Sequence, residues 1–226
     1  MTTHRLKHII LTLLLALLAA ALLVVPTPAT FGYNRSGEVP NVQDTSRYIG
    51  SKGWRPSVFW VGDSISVSAY KYGLHTLRPG YEVSAISGRD VSNLPYYLAD
   101  RLGNGSRLTT VVIALGTNAS KGWTYASLRA AVRRIPRRIT VVFVSTYRDP
   151  RIFTRAAYPY RQQAWVQAQY TSWMRTIARQ RPHTCIAQWR NYASHHRSKL
   201  HDGVHPDRIG IRAYIRTVTR AVARCS

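Results

Sequence analysis

Four short polar segments of the sequence contain the side chains that acyl-transfer chemistry requires. Ser64 is a candidate nucleophile and His205 a candidate general base, and Asp202 lies three residues before that histidine. A carboxylate that accepts a hydrogen bond from one ring nitrogen fixes the tautomer of a histidine and stabilises its protonated form. These residues therefore predict that Ser64, activated by His205 and Asp202, attacks an ester and forms an acyl-enzyme.

The same segments supply donors for the negative charge that develops on the ester oxygen. The backbone N–H groups of Ser64 and Gly88 and the side-chain amide of Asn118 are predicted to converge on this oxyanion. Because glycine has no side chain, Gly88 and Gly116 would let the backbone approach the reacting carbon closely. Asp63, in the segment that contains the nucleophile, is interpreted as a structural turn acid.

The sequence around these segments alternates between strand and helix patterns. Runs rich in β-branched and aromatic residues predict strands at 57–61, 81–86, 109–115, 139–145 and 184–189. Apolar residues at helical spacing predict helices at 66–75, 91–102, 125–135, 164–179 and 207–223. This order predicts an α/β sandwich with a mostly parallel sheet of five strands. The four polar segments follow the first, second, third and fifth strands, so they are expected to meet at one edge of the sheet.

The four segments, in this order, resemble the sequence blocks of the SGNH (GDSL-type) hydrolase family. Gly-Asp-Ser-x-Ser at 62–66 is similar to the nucleophile block, Gly88 to the second block, Gly-x-Asn at 116–118 to the third and Asp-x-x-His at 202–205 to the last. The resemblance covers about residues 57–224. It implies a flavodoxin-like three-layer α/β/α sandwich. It also implies that Ser64, Asp202 and His205 form the catalytic triad, with Ser64, Gly88 and Asn118 at the oxyanion hole.

A narrower likeness points to acetyl groups on cell-wall glycans. Residues 112–118, the pair Gly88-Arg89, Trp189 and the run at 202–206 resemble the extracytoplasmic SGNH domains of cell-wall O-acetyltransferases. In those proteins the domain usually follows an acyltransferase region with several membrane spans, whereas this sequence has one apolar segment. Because ester hydrolysis needs no acetyl donor, an esterase is favoured over a transferase.

Two of the assignments have a simpler alternative. Ser64 alone would often be only the N-cap of a helix, an interpretation that the other three segments disfavour. His201 also neighbours Asp202, but the motif and Pro206 favour His205 as the base. No group of His, Cys and Asp has the spacing of metal ligands, so the sequence predicts neither a metal nor another cofactor.

The first 29 residues predict export. Arg5 and Lys7 precede an apolar run at 9–25, and the small residue Ala29 follows soon after it. This pattern is typical of a cleaved signal peptide, or of a signal anchor if the segment is retained. Residues 30–56 are interpreted as a linker or wrapping arm, and residues 57–226 as an SGNH hydrolase-like domain. The protein is therefore expected to be secreted or anchored on the outer face of the cytoplasmic membrane.

The only two cysteines, Cys185 and Cys225, are predicted to form one disulfide, because an exported protein folds in an oxidising compartment. Two unlinked thiols are the alternative. The chain-entropy model gives such a bridge a stabilising contribution of roughly 4 kcal/mol.

The composition is strongly basic: 32 Lys and Arg against nine Asp and Glu give a formal net charge of +23. A hydrophobic content of 45% excludes a disordered basic tail, and export argues against nucleic acid as a partner. Along the last predicted helix, arginine recurs at every fourth residue, and four more arginines lie at 133–138. The arginines of the last predicted helix are interpreted as a solvated helix face or as a docking surface for an anionic cell-wall polymer or lipid headgroups. This arginine row comprises Arg208, Arg212, Arg216, Arg220 and Arg224.

Together these features predict an exported serine esterase that removes O-acyl groups, with acetyl favoured, from a cell-envelope glycan. The alternatives are an O-acetyltransferase to cell-wall glycan and a catalytically silent basic module that binds the envelope. The protein is expected to be a monomer. Residues 147–163, rich in Tyr, Arg and Pro, are predicted to form a long loop that is either functional or disordered.

Overall fold

The computed structural model describes residues 47–48, 57–74, 80–102 and 107–226. The predicted signal segment and most of the predicted linker lie outside these residues. Within the described ranges, no helix combines the length and the apolar character that a membrane crossing needs.

Six strands form one sheet: β1 (Arg47–Tyr48), β2 (Val58–Gly62), β3 (Tyr81–Ala85), β4 (Thr110–Ala114), β5 (Thr140–Val144) and β6 (Thr184–Ala187). Strands β2 to β6 are parallel, and β1 pairs antiparallel with β3 at one edge. The order β1-β3-β2-β4-β5-β6 places the five parallel strands in flavodoxin-like succession. This confirms the predicted fold class. Strand β1 lies in the segment interpreted as a linker, for which the sequence pattern predicts no strand.

The helices cover both faces of the sheet. They are α1 (Ser64–Ala69), α2 (Leu94–Leu102), α3 (Tyr125–Arg133), α4 (Ala164–Gln180), α5 (Trp189–His195) and α6 (Arg208–Cys225). Helix α1 continues into a π-helical turn, Tyr70–Leu74, and 3-10 turns lie at Val91–Asn93, Tyr160–Gln162 and Arg197–Lys199. Helices α1, α5 and α6 pack on one face, and α2, α3 and α4 pack on the other.

Successive side chains of each central strand enter opposite layers of the core. Val58 and Trp60 of β2 pack with α1, α5 and α6, whereas Phe59 and Val61 pack with α2, α3 and α4. Every residue of β2, β4 and β5 is buried. Burial on both faces explains why these strands are continuous apolar runs in the sequence instead of alternating patterns.

Helix α5 corrects the sequence prediction, which extends the last strand through Trp189. Strand β6 ends at Ala187, and Trp189 is the first residue of α5. The buried Trp189 ring meets the ring of Tyr214 edge-on at 5.1 Å between centroids. The backbone N–H of Arg190 donates to Ser145 Oγ at 2.9 Å and thereby satisfies a free donor at the start of the helix. Partners that are distant in sequence thus decide where the strand ends.

The predicted Cys185–Cys225 disulfide is present and joins β6 to the last turn of α6, with 6.3 Å between the two Cα atoms. The hydroxyl of Thr140, the first residue of β5, donates to the carbonyl of Cys225 at 3.3 Å. Both contacts fix the C-terminal end of α6 to the edge where the strands begin. The N-terminal end of α6 therefore lies at the edge where the strands end, and it brings the segment at 202–205 there.

Candidate active site

Three of the polar segments lie at the carboxyl ends of neighbouring strands. Gly62, the last residue of β2, is paired in register with the last residues of both β3 and β4. Ser64, Gly88 and Asn118 lie two, three and four residues beyond that level on their respective strands. The strand order reverses between β2 and β4, and open parallel sheets bind ligands at such a point.

Ser64, His205 and Asp202 form a continuous chain of hydrogen bonds. Ser64 Oγ lies 2.8 Å from His205 Nε2, and His205 Nδ1 lies 2.6 Å from Asp202 Oδ2. Because a carboxylate only accepts, Nδ1 carries the ring proton, and Nε2 is left to accept from the Ser64 hydroxyl. In this arrangement a histidine can withdraw the proton of a serine while the serine oxygen attacks a carbonyl carbon.

The loop around Asp202 holds its side chain as a carboxylate. Asp202 Oδ1 accepts from the backbone N–H groups of Val204 at 2.9 Å and His205 at 2.7 Å. Burial by itself raises the pKa of Asp202, but these bonds and the His205 ring N–H outweigh it and lower the pKa to about 2. The side chain is therefore ionised throughout the neutral range and can stabilise a protonated His205.

Asp63 has the structural role that the sequence predicts, and its carboxyl group is also buried. Its carboxylate accepts from the backbone N–H of Ile65 at 3.0 Å and caps α1. Burial raises the pKa of Asp63, and the Ile65 N–H, the Thr117 hydroxyl and the nearby His205 and Arg148 act in the opposite direction. A buried acid therefore immediately precedes Ser64, the candidate nucleophile.

The position of Ser64 depends on a polar contact in the core below it. Ser66 Oγ accepts from Trp60 Nε1 at 3.0 Å and lies 3.3 Å from the Tyr214 hydroxyl. These contacts join β2, α1 and α6. A Cβ atom at Gly62 would lie 2.0 Å from Ser66 Oγ, so this turn requires glycine.

The segment with Gly88 forms a tight turn that is anchored by its neighbour. Gly88 has a φ of +76°, and the backbone N–H of Arg89 donates to the Ile86 carbonyl at 3.1 Å. The buried Arg89 guanidinium donates to the Ser84 carbonyl at 2.7 Å and lies 3.8 Å above the Tyr97 ring. These contacts hold the backbone at the position where the sequence predicts an oxyanion donor.

Arg148 is a site residue that the sequence analysis does not identify. It is buried, its Nε donates to the Thr117 carbonyl at 3.0 Å, and its Nη2 donates to Asn118 Oδ1 at 3.2 Å. With Oδ1 occupied, the Asn118 amide nitrogen faces the turn at 88–89 and lies 3.5 Å from the Arg89 carbonyl. Arg148 therefore orients Asn118 so that a donor, not an acceptor, faces the second segment.

Arg148 could have been found from the signal that identifies the other segments. It follows β5, the one parallel strand after which no polar segment is predicted, and ligands bind at the carboxyl ends of such strands. Residues 147–163, to which it belongs, pack against the loop of the triad: the Asp149 N–H donates to the Gly203 carbonyl at 3.0 Å. Gly203 has a φ of +79°, and a Cβ atom there would lie 2.8 Å from the Ile152 side chain.

Gly116 has a different role from the predicted one. It has a φ of +115°, and a Cβ atom there would lie 2.7 Å from the ring of Tyr170. The glycine therefore permits the end of β4 to pack closely against α4, and the approach of backbone to a substrate is not needed to explain it.

His201 lies beside the hydrogen-bonded chain. Its Nε2 is 3.9 Å from Asp202 Oδ2, and its ring stacks on that of His205 with 5.7 Å between centroids. His201, Asp202 and His205 offer three donor atoms within 4.8 Å of one another, a grouping that sequence spacing does not reveal. In the structure, Asp202 and His205 are in direct contact at 2.6 Å. The observed arrangement is thus suited to proton transfer.

Solved structures of an acetyltransferase and of esterases share this fold. The C-terminal catalytic domain of peptidoglycan O-acetyltransferase A from Streptococcus pneumoniae, solved with a methylsulfonyl adduct, is 21% identical with a TM-score of 0.64, and the match covers 76% of this chain and 96% of that one. A lipolytic protein of the G-D-S-L family from Veillonella parvula is 12% identical with a TM-score of 0.56, and the match covers 74% of this chain and 98% of that one. A carbohydrate esterase of family 3 from Talaromyces cellulolyticus is 14% identical with a TM-score of 0.55, and the match covers 75% of this chain and 97% of that one.

No protein-family model and no curated protein matches the sequence. The structural likenesses show that the chain has the fold of GDSL-type hydrolases, as the resemblance of its four sequence blocks implies.

The contact between Arg148 and Asn118 predicts a kinetic effect. Arg148→Lys keeps the positive charge but cannot make both guanidinium contacts. We expect kcat for hydrolysis of a small aryl acetate to fall about 10- to 100-fold while KM changes less than about threefold. The reason is that the predicted oxyanion role of the Asn118 amide concerns charge that develops in the transition state. Steady-state kinetics on the purified variant measure both quantities.

Asn118→Ala is the control for this effect. If Arg148 acts by orienting the Asn118 amide, Arg148→Lys causes little further loss of kcat in the Asn118→Ala background. Losses that multiply in the double variant would show that Arg148 acts independently of Asn118.

The lowered pKa of Asp202 predicts a pH-dependent contribution to stability. The pKa is about 2 in the folded protein against an ordinary value of 3.8, so the contribution is complete above about pH 4 and is lost as the pH falls towards about 2. The side chain is 45% exposed, and solvent screening leaves a contribution on the order of 1 kcal/mol. Urea unfolding should show Asp202→Asn less stable than wild type by this amount at about pH 6, with a smaller difference below about pH 4. A difference that is constant with pH would contradict this linkage.

Proposed function

We propose that the protein is an exported serine esterase that removes O-acyl groups, chiefly acetyl, from a glycan of the cell envelope. The observation that carries this proposal is the chain from Ser64 through His205 to Asp202, with contacts of 2.8 Å and 2.6 Å. It lies at the edge of the sheet that also holds Gly88 and Asn118. No other part of the described chain combines a nucleophile, a base and an orienting carboxylate in this way.

In the first half of the reaction, Ser64 Oγ attacks the carbonyl carbon of the ester and its proton passes to His205 Nε2. The backbone N–H groups of Ser64 and Gly88 and the side-chain amide of Asn118 donate to the oxyanion. The bond between the acyl carbon and the sugar oxygen then breaks. His205 returns the proton to that oxygen, and the acyl group remains on Ser64.

In the second half, a water molecule attacks the acyl carbon and His205 accepts its proton. The bond to Ser64 Oγ breaks, the proton returns to the serine, and the carboxylic acid leaves. Asp202 stays ionised through both halves and stabilises the protonated ring each time.

The names of two neighbours in fold support a glycan substrate. One is a peptidoglycan O-acetyltransferase and another is a carbohydrate esterase. The alternative function, an O-acetyltransferase, differs only in the second half of the reaction, where a sugar hydroxyl replaces water. Hydrolysis is favoured because it needs no reactant other than the ester and water.

The disulfide between Cys185 and Cys225 supports export, since disulfides persist chiefly in oxidising compartments. The apolar run at 9–25, interpreted as a signal peptide or a signal anchor, lies outside the described residues. The monomeric state likewise stays a prediction.

Replacement of Ser64 tests the proposed chemistry. In Ser64→Ala we expect kcat/KM for a small aryl acetate to fall by a factor of about 1,000 or more, because the acyl-enzyme cannot form. Ser68→Ala, in the same helix, is the matched control and should retain the wild-type rate. Sulfonyl fluoride labelling followed by peptide mass spectrometry should locate the adduct on Ser64.

If Ser64→Ala still hydrolyses the ester, Ser64 is not the nucleophile. If the wild type neither hydrolyses the ester nor becomes labelled, the catalytically silent envelope-binding module is the better description. With an activated acetyl donor and glycan oligomers, the esterase releases free acetate, whereas formation of acetylated sugar would support the transferase.

The arginine row of α6 supports docking on an anionic cell-wall polymer or lipid headgroups. All five arginines are exposed, while Ile211, Tyr214, Ile215 and Val218 on the other side of the helix are buried. Among the ion pairs of the described residues, none involves the row. The helix therefore presents an uncompensated line of positive charge to its surroundings.

This surface predicts salt-dependent retention on isolated cell wall. The wild type should be released as ionic strength rises, because screening weakens attraction between exposed charges. Replacing Arg212, Arg216 and Arg220 by serine should lower retention at low salt and leave hydrolysis of the aryl acetate unchanged. Retention that does not respond to salt would favour the solvated-face interpretation.

A further inference from the structure

A cavity of about 140 Å³ lies between the C-terminal ends of α3 and α4. Its walls contain the side chains of Arg129, Arg133, Arg137, Arg181 and Gln180, and apolar residues form the rest of the lining. A cavity of roughly this size accommodates a group of about six non-hydrogen atoms. A tetrahedral oxyanion therefore fits within it.

The cavity concentrates positive charge without an acid to balance it. No aspartate or glutamate lines it, and no ion pair of the described residues involves Arg129, Arg133 or Arg137. Burial lowers the pKa of Arg181, and the neighbouring Arg137 lowers it further. Like charges that crowd in this way repel one another, so an anion placed among them gains energy from several cations at once.

The four arginines differ in how their donors are used. Arg181 Nη2 donates to the carbonyls of Pro136 at 2.8 Å and Ile139 at 3.0 Å, so this guanidinium is fixed in the wall. Arg129, Arg133 and Arg137 are exposed, and within the described chain their side chains have no hydrogen-bond partner. The site thus has one rigid cation and three with free donors.

Stabilisation of helix ends does not account for the whole cluster. Cations near a helix C-terminus interact favourably with its dipole, which explains Arg133 in α3 and the position of Arg181 after α4. Arg137 lies outside both helices, in the turn before β5, and Arg129 lies one turn before the end of α3. Both nevertheless face the same cavity.

We propose that this cavity binds a phosphate group of a flexible polyanionic polymer. The planar guanidinium matches phosphate oxygens with paired hydrogen bonds, and several arginines around one concavity are the arrangement that phosphate recognition favours. The amide nitrogen of Gln180 adds a neutral donor, since its Oε1 accepts from the Tyr125 hydroxyl at 3.0 Å.

The lining of the cavity favours this partner over a membrane or a nucleic acid. Among the described residues, the exposed large hydrophobic side chains are Tyr72, Tyr96, Ile152 and Ile209, and none lines the cavity. Docking at a membrane interface usually buries such side chains. No aromatic residue lines it either, so it offers no platform for stacked bases.

The cavity lies at the edge of the sheet opposite Ser64. The Arg181 guanidinium contacts the carbonyl of Ile139, which immediately precedes β5, whereas Ser64 follows the end of β2. A strand of five residues spans about 17 Å, so a polymer bound in the cavity leaves the other edge open. The proposal goes beyond the proposed esterase function and does not depend on it.

A binding experiment with matched variants tests the proposal. Short-chain inorganic polyphosphate is titrated into the full-length protein and followed by calorimetry. The double variant Arg133→Ser/Arg137→Ser should bind about tenfold more weakly or worse. Arg134→Ser/Arg138→Ser removes the same charge from exposed neighbours that do not line the cavity, and its affinity should change less than about threefold.

A second variant guards against loss of fold. Gln180→Glu keeps an acceptor for Tyr125 and places a negative charge on the wall, so it should weaken binding while thermal unfolding stays as in wild type. Equal losses in the two double variants would overturn the proposal in favour of diffuse surface charge. It would also be overturned if wild type fails to bind polyphosphate, or if anionic phosphatidylglycerol vesicles or single-stranded DNA bind more tightly at the same cavity.

Discussion

The register of β3, β2 and β4 is the constraint on which the rest of the candidate active site depends. Gly62 is level with the last residues of both neighbouring strands, so the turns that follow begin at the same height and converge within a few residues. A slip of one residue would exchange Trp60 and Val61 between the two faces of the sheet, and both are fully buried. Packing on both faces therefore fixes the register, and the register fixes where Ser64 and Asn118 lie.

Two charged groups beside this edge, Asp63 and Arg148, are shielded from water and influence each other strongly. Asp63 and Arg148 are buried and Asn118 is half-buried, whereas Asp202 is exposed. Burial raises the pKa of Asp63 and lowers that of Arg148, and each group favours the charged form of the other. A chain with a net charge of +23 thus keeps two acids, Asp63 and Asp202, close to Ser64 and His205. The cation of Arg148 serves to orient Asn118 and to offset these acids, so it has a different use from the arginines on the surface.

The two edges of the parallel sheet carry different chemistry. At the carboxyl edge, short turns bring together a hydroxyl, an imidazole, a carboxylate and an amide. At the amino edge, the end of α4 and the turn before β5 gather arginines, and the disulfide fixes the end of α6 there as well. Because a parallel sheet separates these edges by the length of its strands, the proposed phosphate-binding cavity and the candidate active site do not compete for space.

The sequence alone determined the elements whose information is local. The five parallel strands, the helices α1, α2, α3, α4 and α6 and the turn role of Asp63 could be predicted from local patterns, as could Ser64, His205 and Asp202 as candidate residues. The disulfide could be predicted because the chain has only two cysteines and a predicted export segment. Tertiary structure decided the rest, because the deciding partners are distant in sequence. Trp189 begins a helix because Ser145 and Tyr214 contact its first turn, and β1 forms because β3 offers an unpaired edge. Arg148 becomes part of the candidate site through its contact with Asn118. Arg181 and Arg133 line one cavity only because α3 and α4 pack side by side. A local pattern specifies which side chains a strand end carries, but the packing of several elements specifies which of them meet.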